Sequence, residues 1–143
     1  MKLNINQLKV TGFTVIELLA AITVAGILMA IAIPRFFALL PTLRVSSAAR
    51  QVATDLQLAR MKAISQHTPY TVAFTQSTGA YSFGPDSRDL NQLYPGTTVS
   101  IINPANPTFN PVGTATATTT ITVSNGGVTK QVQISAIGRI KIL

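Results

Sequence analysis

From Phe13 to Ile33 the chain has 21 residues and only one charge, Glu17. As a helix rising about 1.5 Å per residue, that run is about 30 Å long, the thickness of a bilayer's hydrocarbon core. It must face lipid or other protein, so the rest of the chain has to make its own core. From roughly Pro41 to Leu143 about 100 residues remain, enough for one domain. A carboxylate inside an apolar membrane segment costs a few kcal/mol or more, which makes Glu17 a functional residue in need of a partner.

Three explanations compete for residues 1–34. A secretory signal would use the basic start, the apolar stretch and Ala30-Ile31-Ala32 as a small-residue cleavage site. The stretch is long for a signal core, and Glu17 lies inside it. A plain transmembrane anchor fits the length and leaves Glu17 unexplained. Basic residues do not set its orientation, because Lys2 and Lys9 precede the run while Arg35, Arg44 and Arg50 follow it.

The third explanation rests on Gly12-Phe13-Thr14-Val15-Ile16-Glu17-Leu18. This segment resembles the processing motif of the type IV pilin and pseudopilin superfamily. The resemblance implies a leader, residues 1–12, removed by a prepilin peptidase between Gly12 and Phe13. Phe13 would become the N-methylated first residue, and Glu17 the fifth. In the superfamily that glutamate is thought to meet the amine of a neighbouring subunit. A contact between Glu17 and the amine of its own Phe13 is the simpler alternative, since residues four apart share a helix face. Pro34 matches the superfamily's mid-helix proline. Pro34 and Pro41 each remove a donor, which predicts a kink or a locally melted turn.

Beyond Leu43 the pattern is amphipathic. Val45, Ala49, Val52, Leu56, Ala59 and Ala63 recur at helical spacing, while Arg44, Ser47, Arg50, Gln51, Thr54, Asp55 and Lys62 are expected mostly off that face. After His67, expected to end the helix, β-branched residues alternate with turn residues. Tyr70–Phe74 and Ala80–Phe83 predict a hairpin around Gln76-Ser77-Thr78-Gly79. Arg88–Tyr94 reads as irregular, Thr97–Ile102 as a short strand, and residues 103–111, with three Asn-Pro steps, as a loop. From 114 to 123 threonine fills every even position, which predicts a strand. Asn125-Gly126 predicts a hairpin, with Val123 opposite Val128 and with Val128, Val132, Ile134 and Ala136 as the returning apolar face. Ile140 and Ile142 face one way at the end, Arg139 and Lys141 the other.

Charge and composition narrow the function. The formal net charge is +7, from eleven basic and four acidic residues. Without Lys2 and Lys9 it is 7 − 2 = +5. Such a balance suits anionic partners, nucleic acid or acidic lipid, although the charges are scattered. There is no cysteine, hence no disulfide, thiolate metal site or cysteine nucleophile. Asp86 and Asp89, placed with Arg88 in a loop, suit turn formation better than cation binding. With one histidine and no nucleophile–base pair, no enzyme, cofactor or metal is expected.

The order of elements is similar to one branch of the superfamily, GspH/FimT. In that branch an Ala/Arg-rich helix precedes a sheet, and the chain closes on Ile-x-x-x-Gly-Arg, here Ile134–Arg139. The implied fold is α+β: a long N-terminal helix, transmembrane over 13–40 and amphipathic over 41–66, packed on a small antiparallel β domain over 67–143. The implied function is that of a minor pilin or pseudopilin, a structural subunit of a type II secretion pseudopilus or type IV pilus. Its partners would be other subunits, prepilin peptidase and an inner-membrane assembly platform, with the β domain on the periplasmic or extracellular side. A DNA-binding FimT-like subunit is one alternative, through the tail Gly138-Arg139-Ile140-Lys141, where lysine replaces the branch's second arginine. A major pilin is the other.

Overall fold

The computed structural model describes residues 12–102 and 106–143. Most of the expected leader and three residues of the Asn-Pro segment lie outside this range. The chain divides after Ala38 into two compact units. One helix, α1 (Val15–Gln66), belongs to both. Helix runs unbroken through Pro34 and Pro41, so the expected melted turn is not found at either. His67 follows with φ 53°, the left-handed residue that closes many helices, and Thr68-Pro69 prevents continuation.

In the first unit the large apolar side chains are solvent-facing throughout, from Phe13 to Phe37. The stretch is long and apolar enough to cross a bilayer. A monomer in water has no interior to offer it.

The second unit builds its core on α1. All six residues expected on the apolar face are buried, together with Ala48 and Ala53. Asp55, expected off that face, is buried too. The reason is positional: Asp55 stands three residues after Val52 and four before Ala59, in the middle of the apolar stripe.

Two four-stranded antiparallel sheets face this stripe. The first contains β1 (Tyr70–Phe74), β2 (Ala80–Phe83), β3 (Asp86–Asp89) and β5 (Thr108–Phe109), in the order β3-β2-β1-β5. The β1–β2 hairpin forms as expected, with Val72 opposite Phe83. Asp86–Asp89, expected as loop, is instead the edge strand, followed by a one-turn helix α2 (Leu90–Leu93). Its neighbour β2 offers four residues of ladder, enough to hold a polar sequence extended. Within the Asn-Pro segment, Thr108 and Phe109 pair with Thr71 and Tyr70.

The second sheet has the order β4-β6-β7-β8, from β4 (Thr98–Ile102), β6 (Thr119–Asn125), β7 (Val128–Ile134) and β8 (Ile140–Ile142). The strand expected from 114 starts only at Thr119. Before that, Ala115 bridges to Phe109 and its N–H reaches the Ala136 carbonyl, which spends the segment on other partners. The hairpin pairs Asn125 with Val128 and Val123 with Lys130, not Val123 with Val128. The turn is Gly126-Gly127, both at positive φ, the pattern of a two-residue type I′ turn. A shift of two residues keeps every side chain on its predicted face. Thr119, Ile121, Val123, Val132 and Ile134 are accordingly buried, whereas Ala136 is exposed in the turn between β7 and β8. Phe74, Tyr81 and Phe83 stack in series against the helix, completing the core with Leu90 and Phe109.

Candidate functional site

The expected processing segment has a definite local structure. Thr14 and Glu17 form a reciprocal cap at the start of α1. Glu17 Oε2 accepts from the Thr14 N–H and the Thr14 hydroxyl, both at 2.9 Å, and the Glu17 N–H donates to Thr14 Oγ1 at 3.3 Å. This is a capping box, in which a threonine and the glutamate three residues later each satisfy the other's orphan backbone donor. The Thr14-x-x-Glu17 spacing carries that signal in the sequence. Glu17 Oε1 makes no hydrogen bond to a described residue. Gly12 and Phe13 precede the cap, fully solvent-facing and outside the helix. Pro34 is exposed on α1, 17 residues beyond Glu17.

Arg139 and Lys141 lie elsewhere. Both are exposed, Lys141 on β8, the edge strand of the second sheet, and Arg139 just before it. Lys141 stands opposite Gln133 on β7. Arg139 precedes β8 and closes the β7–β8 turn, where the Ser135 N–H donates to its carbonyl at 2.9 Å. The expected closing strand Ile134–Arg139 is therefore mostly this turn, reversed at Gly138 with φ 79°. Neither cation is ion-paired among the described residues.

The matched sequence decides the family. Residues 48–138 match the family described as Type II transport protein GspH. The chain belongs to the GspH family. No curated protein sequence matches it. Solved structures share the fold. The Pseudomonas aeruginosa type IV minor pilin FimU is 21% identical with a TM-score of 0.58, over 68% of this chain and 91% of that one. The Vibrio cholerae minor pseudopilin EpsH, from the type 2 secretion system, is 16% identical with a TM-score of 0.58, over 70% of this chain and 96% of that one.

The GspH match ends at Gly138, and the structure gives that glycine a task. A Cβ there would strike the Gly113 carbonyl oxygen and come within 2.9 Å of Arg60 Nε. That same oxygen accepts from Arg60 Nε at 2.8 Å. Helix α1, the loop at Gly113 and the β7–β8 turn meet at this corner.

Sequence reasoning missed a second polar cluster inside the GspH domain. The Asp55 carboxylate accepts from the Tyr81 hydroxyl at 2.5 Å, from Arg88 Nε at 3.0 Å and from Gln51 Nε2 at 3.2 Å. Burial, followed by the adjacent carboxylate, pushes the Tyr81 phenol well above its ordinary range. Tyr81 and Arg88 are cross-strand partners on β2 and β3, so both reach the same helix residue. The buried Asp55–Tyr81 contact, joined by the exposed Arg88, locks the first sheet to α1. Asp86 is engaged separately, by Lys62 at 3.0 Å, and Asp89 caps α2 through the Asn91 N–H at 2.8 Å. Asp86 and Asp89 thus serve two different structural contacts. Among the described residues no cluster of acids and histidines could hold a metal.

Proposed function

We propose that this GspH-family chain is a minor pilin or pseudopilin, a structural subunit of a type II secretion pseudopilus or a type IV pilus. The observation that carries the proposal is the Thr14–Glu17 cap at the head of an exposed apolar helix, directly after Gly12-Phe13. The GspH family groups structural pilin and pseudopilin subunits, which supports a non-enzymatic role.

In this proposal the chain waits in the bacterial inner membrane, its second unit on the periplasmic side. Prepilin peptidase cuts between Gly12 and Phe13, and the new Phe13 amine is methylated. Glu17 Oε2 is already committed to the chain's own helix start, so Oε1 is the oxygen free to meet an amine. Two opposite charges in an apolar setting attract strongly. On entering a filament the helix exchanges lipid for protein. That exchange has little hydrophobic driving force, so side-chain packing and this charge contact decide it. The assembly platform and the other subunits are the implied partners.

The test has two arms. Gly12→Ala should block maturation, read as retention of the precursor mass; normal cleavage would sink the prepilin assignment. Glu17→Gln keeps one acceptor oxygen for the Thr14 cap, puts an amide NH2 where the second oxygen would meet the amine, and removes the charge. It should leave a stable membrane monomer that enters filaments poorly, and unchanged incorporation would remove the charge contact.

Nucleic-acid binding is a second reading, favoured by one observation: Arg139 and Lys141 are exposed two residues apart at an edge strand without an acidic partner among the described residues. Two cations give weak, sequence-blind binding that salt removes. Full-length protein in detergent should retard duplex DNA at low salt, and the double substitution Arg139→Ala, Lys141→Ala should abolish retardation.

A further inference from the structure

The corner where Gly113 and Gly138 meet Arg60 carries exposed apolar side chains that the domain's own core does not use. Ile64, 43% exposed, reaches to 3.0 Å of where a Gly113 Cβ would stand, and Met61 beside it is 64% exposed. Val112, next to Gly113, is 81% exposed, and Ile137, next to Gly138, is 71% exposed. Arg60 sits among them, its Nε fixed by the Gly113 carbonyl. A shallow groove of about 350 Å³ runs along α1 past Gln57, Arg60, Met61 and Ile64. Scattered apolar residues on a surface need no explanation. Here Met61 and Ile64 line one groove with an arginine held by a backbone bond, and Val112 and Ile137 adjoin the two glycines that arginine meets, the composition of an interface centre.

Charge decides what covers it. All three side-chain carboxylates from Leu39 onward are engaged within the chain: Asp55 to Tyr81 and Arg88, Asp86 to Lys62, Asp89 to the α2 start. From Leu39 onward there are eight basic residues against three acidic ones. The second unit of another copy would bring more cations to Arg60 and no unengaged side-chain carboxylate. Nucleic acid would satisfy Arg60 and leave Ile64, Val112 and Ile137 wet. We propose that this corner docks a different filament subunit, through a segment bearing a carboxylate beside apolar side chains. The proposal rests on the subunit role argued above and adds the surface and the partner chemistry to it.

The chain has no cysteine, so a single Val112→Cys substitution gives a unique attachment point at the corner. Full-length Val112→Cys protein, carrying a photoreactive thiol label, is expressed with its complete assembly machinery, illuminated, and its adducts are mapped to the residue. Gln92→Cys, exposed on α2, is the control. The expected adduct joins Val112 to an acidic and apolar segment of another subunit. Adding Ile137→Asp or Arg60→Glu should lower its yield about tenfold, since a few central residues dominate an interface. Arg60→Lys should retain most of it, provided the charge is what the partner reads. Adducts that map to a second copy, lipid or nucleic acid overturn the proposal, as does a yield that Ile137→Asp leaves unchanged. Protein present in filaments without an adduct overturns the docking surface and leaves the subunit role standing. Protein absent from filaments overturns both.

Discussion

Asp55 shows how much one side chain can carry in a small domain. It is 2% exposed and accepts from three side chains, two of them on strands of the first sheet. A buried carboxylate is tolerable only when its acceptor capacity is filled. Tyr81→Phe removes the shortest of those bonds and should destabilise the domain by about 1–3 kcal/mol, the cost of leaving a buried acceptor short of a donor. It should also change the alkaline limb. The Tyr81 phenol is raised in the folded state by burial and by Asp55. Below the ordinary phenol value of about 10, both states hold the proton and this contribution is complete. Above it the unfolded chain releases a proton that the folded chain keeps, so stability falls as pH rises. Urea melts from pH 8 to 11 should therefore show a steeper alkaline loss in the parent than in Tyr81→Phe. Equal slopes would mean that the phenol titrates normally. Lys62 is raised as well, mainly by Asp86, and contributes a slope in the same direction. It is present in both proteins and so cancels in the comparison.

At the scale of elements, glycines set the corners. Gly126 and Gly127 form the β6–β7 turn at φ 55° and 83°. A Cβ on Gly127 meets nothing within 4 Å, so Gly127→Ala tests backbone conformation alone and should cost about 1 kcal/mol. Gly138→Ala adds a clash with the Gly113 backbone, which cannot swing away, to the same φ strain. It should cost distinctly more, read as a larger drop in the urea midpoint. Equal losses for the two variants would show that the corner yields. These positions also mark where sequence reasoning reached its limit. Face assignments survived except at Asp55 and Ala136, because apolar periodicity on α1, β6 and β7 is written residue by residue. Turn placement did not: the chain offers Asn125-Gly126 and Gly126-Gly127 as neighbouring signals, and only the ladder chooses between them. Strand β3 was illegible for a related reason. Asp-Ser-Arg-Asp has little strand propensity, and its extended form comes from β2 and from the distant Asp55 contact to Arg88. At the head of α1 the glutamate was conspicuous by its cost. The Thr14 that satisfies it needed the three-residue capping spacing to be read alongside.

For the whole molecule, the division after Ala38 separates two solutions to apolar burial. Among the described residues, every buried apolar side chain is Val45 or later, and the apolar side chains before Ala38 stay exposed. The second unit therefore owns a complete core and should not depend on the first for folding. A fragment covering residues 39–143 should be soluble and should unfold cooperatively, with fluorescence of its tyrosines and far-ultraviolet dichroism giving coincident transitions. Its eight basic and three acidic residues leave a formal +5 at neutral pH. Copies repel one another, so the fragment should sediment as a monomer at low salt. Salt screens that repulsion over roughly 10 Å at 0.1 M. Any association through the exposed Met61, Ile64, Val112 and Ile137 should then appear on raising salt, and Ile137→Asp should suppress it. The full chain should behave otherwise, because residues 13–37 demand detergent or lipid at any salt concentration. A fragment that melts without cooperativity would show that the core needs the N-terminal unit. A fragment that dimerises tightly at low salt would contradict the charge argument, and with it the choice of a different subunit as the occupant of the Gly113–Gly138 corner.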